Sequence, residues 1–380
     1  MLIVSSSKTK SRGIGYGYQN NRNIGGGQPV YCEMLKKYIP SPLEMRDYEK
    51  AVEIDNMDMN NREAKFNALL EYTLSDEMIM NSTKWLNRVS VHMSSFDNPS
   101  INDDDMEFLS RFHITRKCGA ETTEWDEWIE PLTITARHPF GFGRCKNTQH
   151  YFKKNIPKVG RSNVDYVLLQ SGRSIYNSSY TTSGRRVKSK QQGERMGLGN
   201  KHIFLDAGTS MFDSSLRWFL CGYSQRNVSF DMVKAWEMTI LDPQEYWSRV
   251  PSQWKPYWTF MNVPISANHH HPDSPVRIIK SIANVNDFVS FKLDIDHPDT
   301  ELPIALSLLS DPSFARLVDE FFFELHFQCE VMTLWDTNKG GCGWGTRVPQ
   351  SSHGLRLDRS SILRFFAQLR EKGIRAHIWP

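Results

Sequence analysis

From His202 onward the chain alternates short apolar, β-rich runs with amphipathic segments, and this alternation constrains the fold more than any other feature of the sequence. The runs are His202 to Asp206, Met232 to Trp236, Trp258 to Val263, Phe288 to Asp294, Phe321 to Leu325 and Ile374 to Trp379. Between them lie Ser214 to Gln225, Val276 to Ala283, Leu302 to Leu309 and Ser361 to Lys372, whose apolar residues recur at helical spacing. Strand and helix repeated in this way predict an α/β domain over residues 201 to 380, with a largely parallel sheet covered by helices on both faces. Such sheets bind ligands at the carboxyl ends of their strands, so the residues closing each run are where chemistry is expected.

The preceding half reads differently. Residues 1 to 29 carry Lys8, Lys10, Arg12 and Arg22 with no acid and a Gly25 to Gly27 run, which predicts a disordered tail. Gly13-Ile-Gly15-Tyr-Gly17 imitates a dinucleotide fingerprint, but no helical period follows it and it is set aside. Residues 30 to 160 are expected to be mostly helical, because apolar positions such as Phe66, Leu69, Leu70 and Tyr72, then Met78, Trp85 and Leu86, recur at helical spacing. Asp103 to Asp105 read as a helix N-terminal turn. Residues 161 to 200 combine one strand candidate, Val164 to Leu169, with a basic, serine-rich linker carrying Arg185, Arg186, Lys188, Lys190 and Arg195.

Bulk properties narrow the classes. With 46 basic and 43 acidic residues in 380, the net charge of +3 provides no global field for nucleic acid, and none is expected as a partner. No run of about 18 apolar residues suggests a membrane span. The six cysteines lack a CxxC pair and read as reduced thiols rather than a zinc site or a disulfide framework, and no metal is expected. Cytoplasmic residence is the default expectation; with an incomplete N-terminus the secretory pathway applies, and the triplets at Asn81, Asn177 and Asn227 become candidate glycosylation sites.

The strand ends hold the candidate site. The first closes in Phe204-Leu-Asp206-Ala-Gly208-Thr-Ser210, where a glycine lets backbone approach a ligand. The second closes on Trp236-Glu237, placing a carboxylate where it can accept hydrogen bonds from ribose hydroxyls. The third ends in Asn262-Val-Pro-Ile-Ser266, and the fourth reads Val289-Ser-Phe-Lys292-Leu-Asp294-Ile-Asp296. Period two puts Lys292, Asp294 and Asp296 on one face, where three charges demand partners or a use. The fifth, Phe321-Phe-Phe-Glu324-Leu-His326, places Glu324 and His326 on a shared face.

The succession LDAGTS, AWE, NVPIS, FKLDID and FFFELH resembles the FkbM-type group of S-adenosylmethionine-dependent methyltransferases over about residues 200 to 380. The resemblance implies a Rossmann-like methyltransferase sheet that binds S-adenosyl-L-methionine. Asp206, Gly208 and Ser210 would shape the methionine pocket and Glu237 the ribose contact, with Asn262 beside them. Asp294, Asp296, Glu324 and His326 would line the adjoining cavity. Gly208-Thr-Ser-Met-Phe212 departs from the family's glycine-rich turn, and Asp296-His297-Pro298 replaces its glutamate and glycine.

On this reading the reaction is O-methylation of a sugar or other hydroxyl on a small-molecule or glycan acceptor. His326 is the candidate base, oriented by Asp294 or Glu324. Two rivals remain. Asp294-Ile-Asp296 matches the Asp-x-Asp pattern of metal-dependent glycosyltransferases, and the altered glycine turn suits a methyltransferase-fold interaction protein without catalysis. His269 to His271 read as an exposed loop, Gly340 to Gly345 as a candidate lid, and Arg137 to Arg144 as a packed turn or acceptor contact. Neither the acceptor nor the oligomeric state is legible.

Overall fold

The computed structural model describes residues 18–19, 31–57, 75–94, 102–133, 201–212, 228–325 and 351–379, with single helical positions within 64–72 and 216–223. The expected strand at 164–169, the basic linker, His326, the Gly340 to Gly345 segment and the Arg137 to Arg144 turn lie outside the described residues.

The first elements are β1 (Tyr18–Gln19), β2 (Tyr31–Ile39), α1 (Pro42–Asp55), α2 (Asp76–Ser94), α3 (Asp103–Phe108), β3 (Ser110–Cys118) and β4 (Glu121–Ile129). The helical reading holds for α1 to α3 and fails at β2 to β4, which with β1 form an antiparallel sheet in sequence order. Tyr18 and Gln19 pair with β2, so the tail is ordered at those two positions. The acidic turn behaves as expected, with Asn102 and Asp105 forming a reciprocal capping box at the start of α3. Cys118 is disulfide-bonded, which corrects the expectation of reduced thiols, and the strand register sets Cys32 opposite it. Asn81 is buried and closed to glycosylation in the folded chain.

The second series is β5 (His202–Ala207), β6 (Met232–Trp236), α4 (Pro243–Arg249), β7 (Trp258–Met261), α5 (Pro275–Ile282), β8 (Phe288–Leu293), α6 (Pro298–Ser310), α7 (Pro312–Ala315), β9 (Glu320–Phe323), the short hairpin β10 (Ser351–Ser352) and β11 (Leu355–Arg356), α8 (Arg359–Glu371) and β12 (Arg375–Ile378). Six of these strands form one parallel sheet in the order β12-β9-β8-β5-β6-β7. Counted along the chain, that order is 3-2-1-4-5-6 read from the β7 edge, the doubly wound arrangement. The chain winds outward from β5 through β6 and β7, then returns beside β5 with β8 and winds the other way. The crevice therefore opens between the carboxyl ends of β5 and β8.

Alternation along the strands divides the core between the two faces. Ile203, Leu205, Ala207, Phe291, Leu293, Phe321 and Phe323 pack with α5, α6 and α8. Phe204, Val233, Ala235 and Phe322 pack on the other face with Leu216, Phe219, Leu220 and Tyr223. The N-terminal elements belong to both cores, since Ala51 and Ile54 join the first while Leu43, Trp85, Val89 and Trp128 join the second. Among the described residues no helix is long and apolar enough to cross a membrane.

Candidate functional site

At the switch between β5 and β8 the sheet register brings Asp206 beside Lys292. Both side chains are fully buried. The Lys292 ammonium donates to Asp206 Oδ1 at 3.0 Å, to the Gly208 carbonyl at 3.0 Å and to Asp294 Oδ2 at 2.9 Å, so all three of its protons are used. Burial opposes its charge, but Asp206 and Asp294 outweigh burial and hold Lys292 above the usual lysine range. Burial pushes the Asp206 carboxyl up from the ordinary carboxylate value against the pull of Lys292 and of the Thr209 hydroxyl. Asp294 moves the opposite way: Lys292, Glu324 and Trp379 together overcome its burial and hold it below the ordinary range.

Gly208 follows in a left-handed conformation, φ +91°, with its α-carbon against the Asp294 backbone. Any β-carbon there would overlap the Asp294 carbonyl oxygen, so the turn closes only on glycine. The amides that follow point inward. Gly208 N and Thr209 N both donate to the Trp236 carbonyl at 3.0 Å, and Ser210 N donates to Glu237 Oε2 at 3.0 Å. Ser210 itself has φ 47°. In this turn the backbone donors are consumed by neighbouring acceptors rather than presented as a nest for an anion.

Glu237 closes β6 as expected, and its other oxygen, Oε1, accepts from Thr239 N at 2.7 Å. Each carboxylate oxygen keeps a second lone pair. Asn262, at the end of β7, donates to the Glu237 and Thr239 carbonyls at 2.7 Å each and accepts from Leu241 N at 2.9 Å. Its amide is spent on holding the 237–241 loop, so it shapes the site through Glu237. That loop presents Met238 and Ile240 to solvent, 67% and 90% exposed.

Sequence reasoning placed Asp206, Gly208, Ser210, Glu237, Asn262, Asp294 and Glu324 at strand ends, and the fold brings them to one edge of the sheet. Asp296 is a correction. The strand ends at Leu293, and Asp296 lies past it with φ 56°, exposed, so the period-two argument joins Lys292 to Asp294 and stops there. Three side chains went unforeseen as site residues. Lys292 was read as a charge to be explained, and it is the hub. Thr209 sets its hydroxyl between Asp206 and Tyr246, whose phenol accepts from Trp258 Nε1 at 3.1 Å. Trp379, just beyond β12, donates its indole Nε1–H to Asp294 Oδ2 at 3.0 Å. Applied to β12, the strand-end rule would have found it. The His269 to His271 loop is largely exposed, and no metal-binding group of three or more His, Cys, Asp or Glu side chains occurs among the described residues.

The fold and site define a doubly wound α/β protein with acidic side chains gathered at the carboxyl ends of its strands around the switch point. Comparison with protein-family models, with curated proteins and with solved structures gave no match.

Proposed function

We propose that the chain is an S-adenosyl-L-methionine-dependent methyltransferase acting on a hydroxyl of a sugar or other small acceptor. The observation that carries this reading is the electrostatic character of the crevice. Its first turn spends its amides internally, and Lys292 is surrounded by Asp206 and Asp294, with Glu237 and Glu324 at the adjoining strand ends. A site built this way suits a ligand bearing positive charge near its reacting centre, and it opposes a pyrophosphate, which needs free amides or unpaired cations.

The donor set fits such a ligand. Gly208 lets the β5 turn close on the Asp294 backbone, and beside it Glu237 offers its remaining lone pairs to vicinal hydroxyls. The bound cofactor would supply an activated methyl group. The chain's own residues would orient the acceptor and take its proton. Glu324 helps to hold Asp294 below the ordinary carboxylate range, and His326 follows Glu324 by two residues. The metal-dependent glycosyltransferase reading is weaker, because Lys292 already neutralises Asp294 and shares its Oδ2 with Trp379, while Asp296 leaves the strand. The Cys118 disulfide favours an oxidising compartment over the cytoplasm.

Calorimetric titration of the full chain tests this. Saturable binding of S-adenosylmethionine, with none of NAD or of a nucleotide sugar plus manganese, is expected. Manganese-dependent nucleotide-sugar binding without adenosyl binding would overturn it in favour of glycosyl transfer. Silence toward every ligand would leave the non-catalytic reading.

A further inference from the structure

We infer that Trp379 is a positioning residue of the crevice, fixing the rotamer and the charge of Asp294 from two strands away. The inference takes the crevice to be the site proposed above, while the contact itself stands on geometry alone. β12 lies at one edge of the sheet and β8 two places inward, with β9 between them. Period two puts His377 and Trp379 on the face that carries Phe322, and the His377 ring stacks on Phe322 at 4.3 Å. Trp379 N continues the ladder to the Phe323 carbonyl at 2.9 Å, which fixes the backbone from which the indole projects.

From there the ring crosses β9. It packs on Phe219 at 4.8 Å with an interplanar angle of 31° and stands edge-on to Phe322 at 6.2 Å. Its far end reaches the crevice, where Nε1 donates to Asp294 Oδ2 at 3.0 Å and the ring lies 5.8 Å from Lys292 Nζ. A tryptophan used only for packing has no need to present its one donor to a carboxylate. Here the donor and Lys292 converge on the same oxygen, 3.0 Å and 2.9 Å away. Oδ1 of Asp294 receives neither of these donors. The indole thus decides which oxygen of Asp294 faces a ligand and helps keep that carboxyl ionised.

Two measurements test this. The first needs no ligand: in protein labelled with ¹⁵N-tryptophan, Trp379→Phe identifies the Trp379 indole resonance, and Asp294→Asn should shift that resonance upfield while the other indoles stay in place. If Trp379→Phe does not fold, Asp294→Asn alone serves, since a single indole resonance should move. An indole resonance indifferent to Asp294→Asn overturns the inference. The second is the pH profile of S-adenosylmethionine affinity between pH 5.5 and 8. Wild-type affinity is expected to stay flat. Trp379→Phe, whose phenyl group keeps the packing on Phe219, loses a donor to the carboxylate, so Asp294 takes up a proton at higher pH than in the wild type and affinity falls toward the acid end of the range while holding at pH 8. A purely structural tryptophan would weaken binding equally at every pH, which would also overturn the inference. Failure of the wild type to bind the cofactor would sink the methyltransferase reading and leave the indole measurement to decide the role of Trp379.

Discussion

Gly208 shows how a single residue type can be dictated by its neighbours. Its backbone is left-handed and its α-carbon faces the Asp294 carbonyl, so Gly208→Ala faces both a strained φ and a collision with main chain that cannot rotate away. We expect this substitution to destabilise the fold by about 2–4 kcal/mol, measured by denaturant unfolding, and an unchanged midpoint would refute the close approach. The glycine was legible because a strand followed by Asp-x-Gly implies a tight turn at a sheet's carboxyl edge. Asp206 and Glu237 were legible for the same reason. Trp379 was legible only as the residue closing β12; its pairing with Asp294, 85 residues away in sequence, was not, because no periodicity connects β12 to β8. Asp296 was misread for a different reason: alternation identifies a shared face only while the strand continues, and the left-handed backbone at Asp296 ends it.

At the level of elements, the loop between β6 and α4 is braced from the end of β7 by one side chain. Asn262 bridges from the next strand to three main-chain groups, the carbonyls of Glu237 and Thr239 and the amide of Leu241. Asn262→Ala removes all three bonds, so a loss of about 1–2 kcal/mol is expected, with faster hydrogen exchange at the Leu241 amide. Unaltered exchange there would show that the loop is held by something else. The run beginning at Asn262 was read as a ligand contact, and the structure makes it a brace for the neighbouring one. The sheet strands were most legible where, as in β5, β8 and β9, both faces are buried and the sequence is a near-continuous apolar run. β2, β3 and β4 were not. Glu33, Lys36, Lys37, Arg111, His113, Arg116, Lys117, Glu121, Glu124, Asp126 and Glu127 interrupt them, and their apolar residues are too few to show alternation.

Over the whole molecule, buried charge joins the N-terminal layer to the parallel sheet. Arg370 of α8 donates to the Tyr38 hydroxyl, the Glu130 carbonyl, Glu130 Oε1 and the Ala376 carbonyl. Arg375 donates to the Trp128 carbonyl and reaches Glu320. Between these arginines His377 sits with Nδ1 2.6 Å from Glu130 Oε1 and Nε2 3.0 Å from Glu320 Oε1, so both ring nitrogens face carboxylates and the imidazolium satisfies both. Tyr223 also donates to Glu320, at 2.6 Å. Burial opposes charge on His377, but Glu130 and then Glu320 outweigh it and raise its pKa above the usual 6.5. Burial likewise opposes charge on Glu320, and His377 with Arg375 and Tyr223 holds it below the ordinary value. The signs then follow from linkage. The histidine's contribution to stability is complete below its unfolded pKa of about 6.5 and is lost as pH rises through the higher folded value. The glutamate's contribution is present above its unfolded pKa of about 4.3 and is lost as pH falls through its depressed folded value. Unfolding free energies measured at intervals from pH 6 to pH 9 should therefore decline on the alkaline side in the wild type. His377→Gln, which can donate to only one of the two carboxylates, should be less stable at pH 6 and should lack most of that decline. Parallel profiles for the two proteins would mean that His377 is neutral in the folded state and that the arginines alone carry the junction.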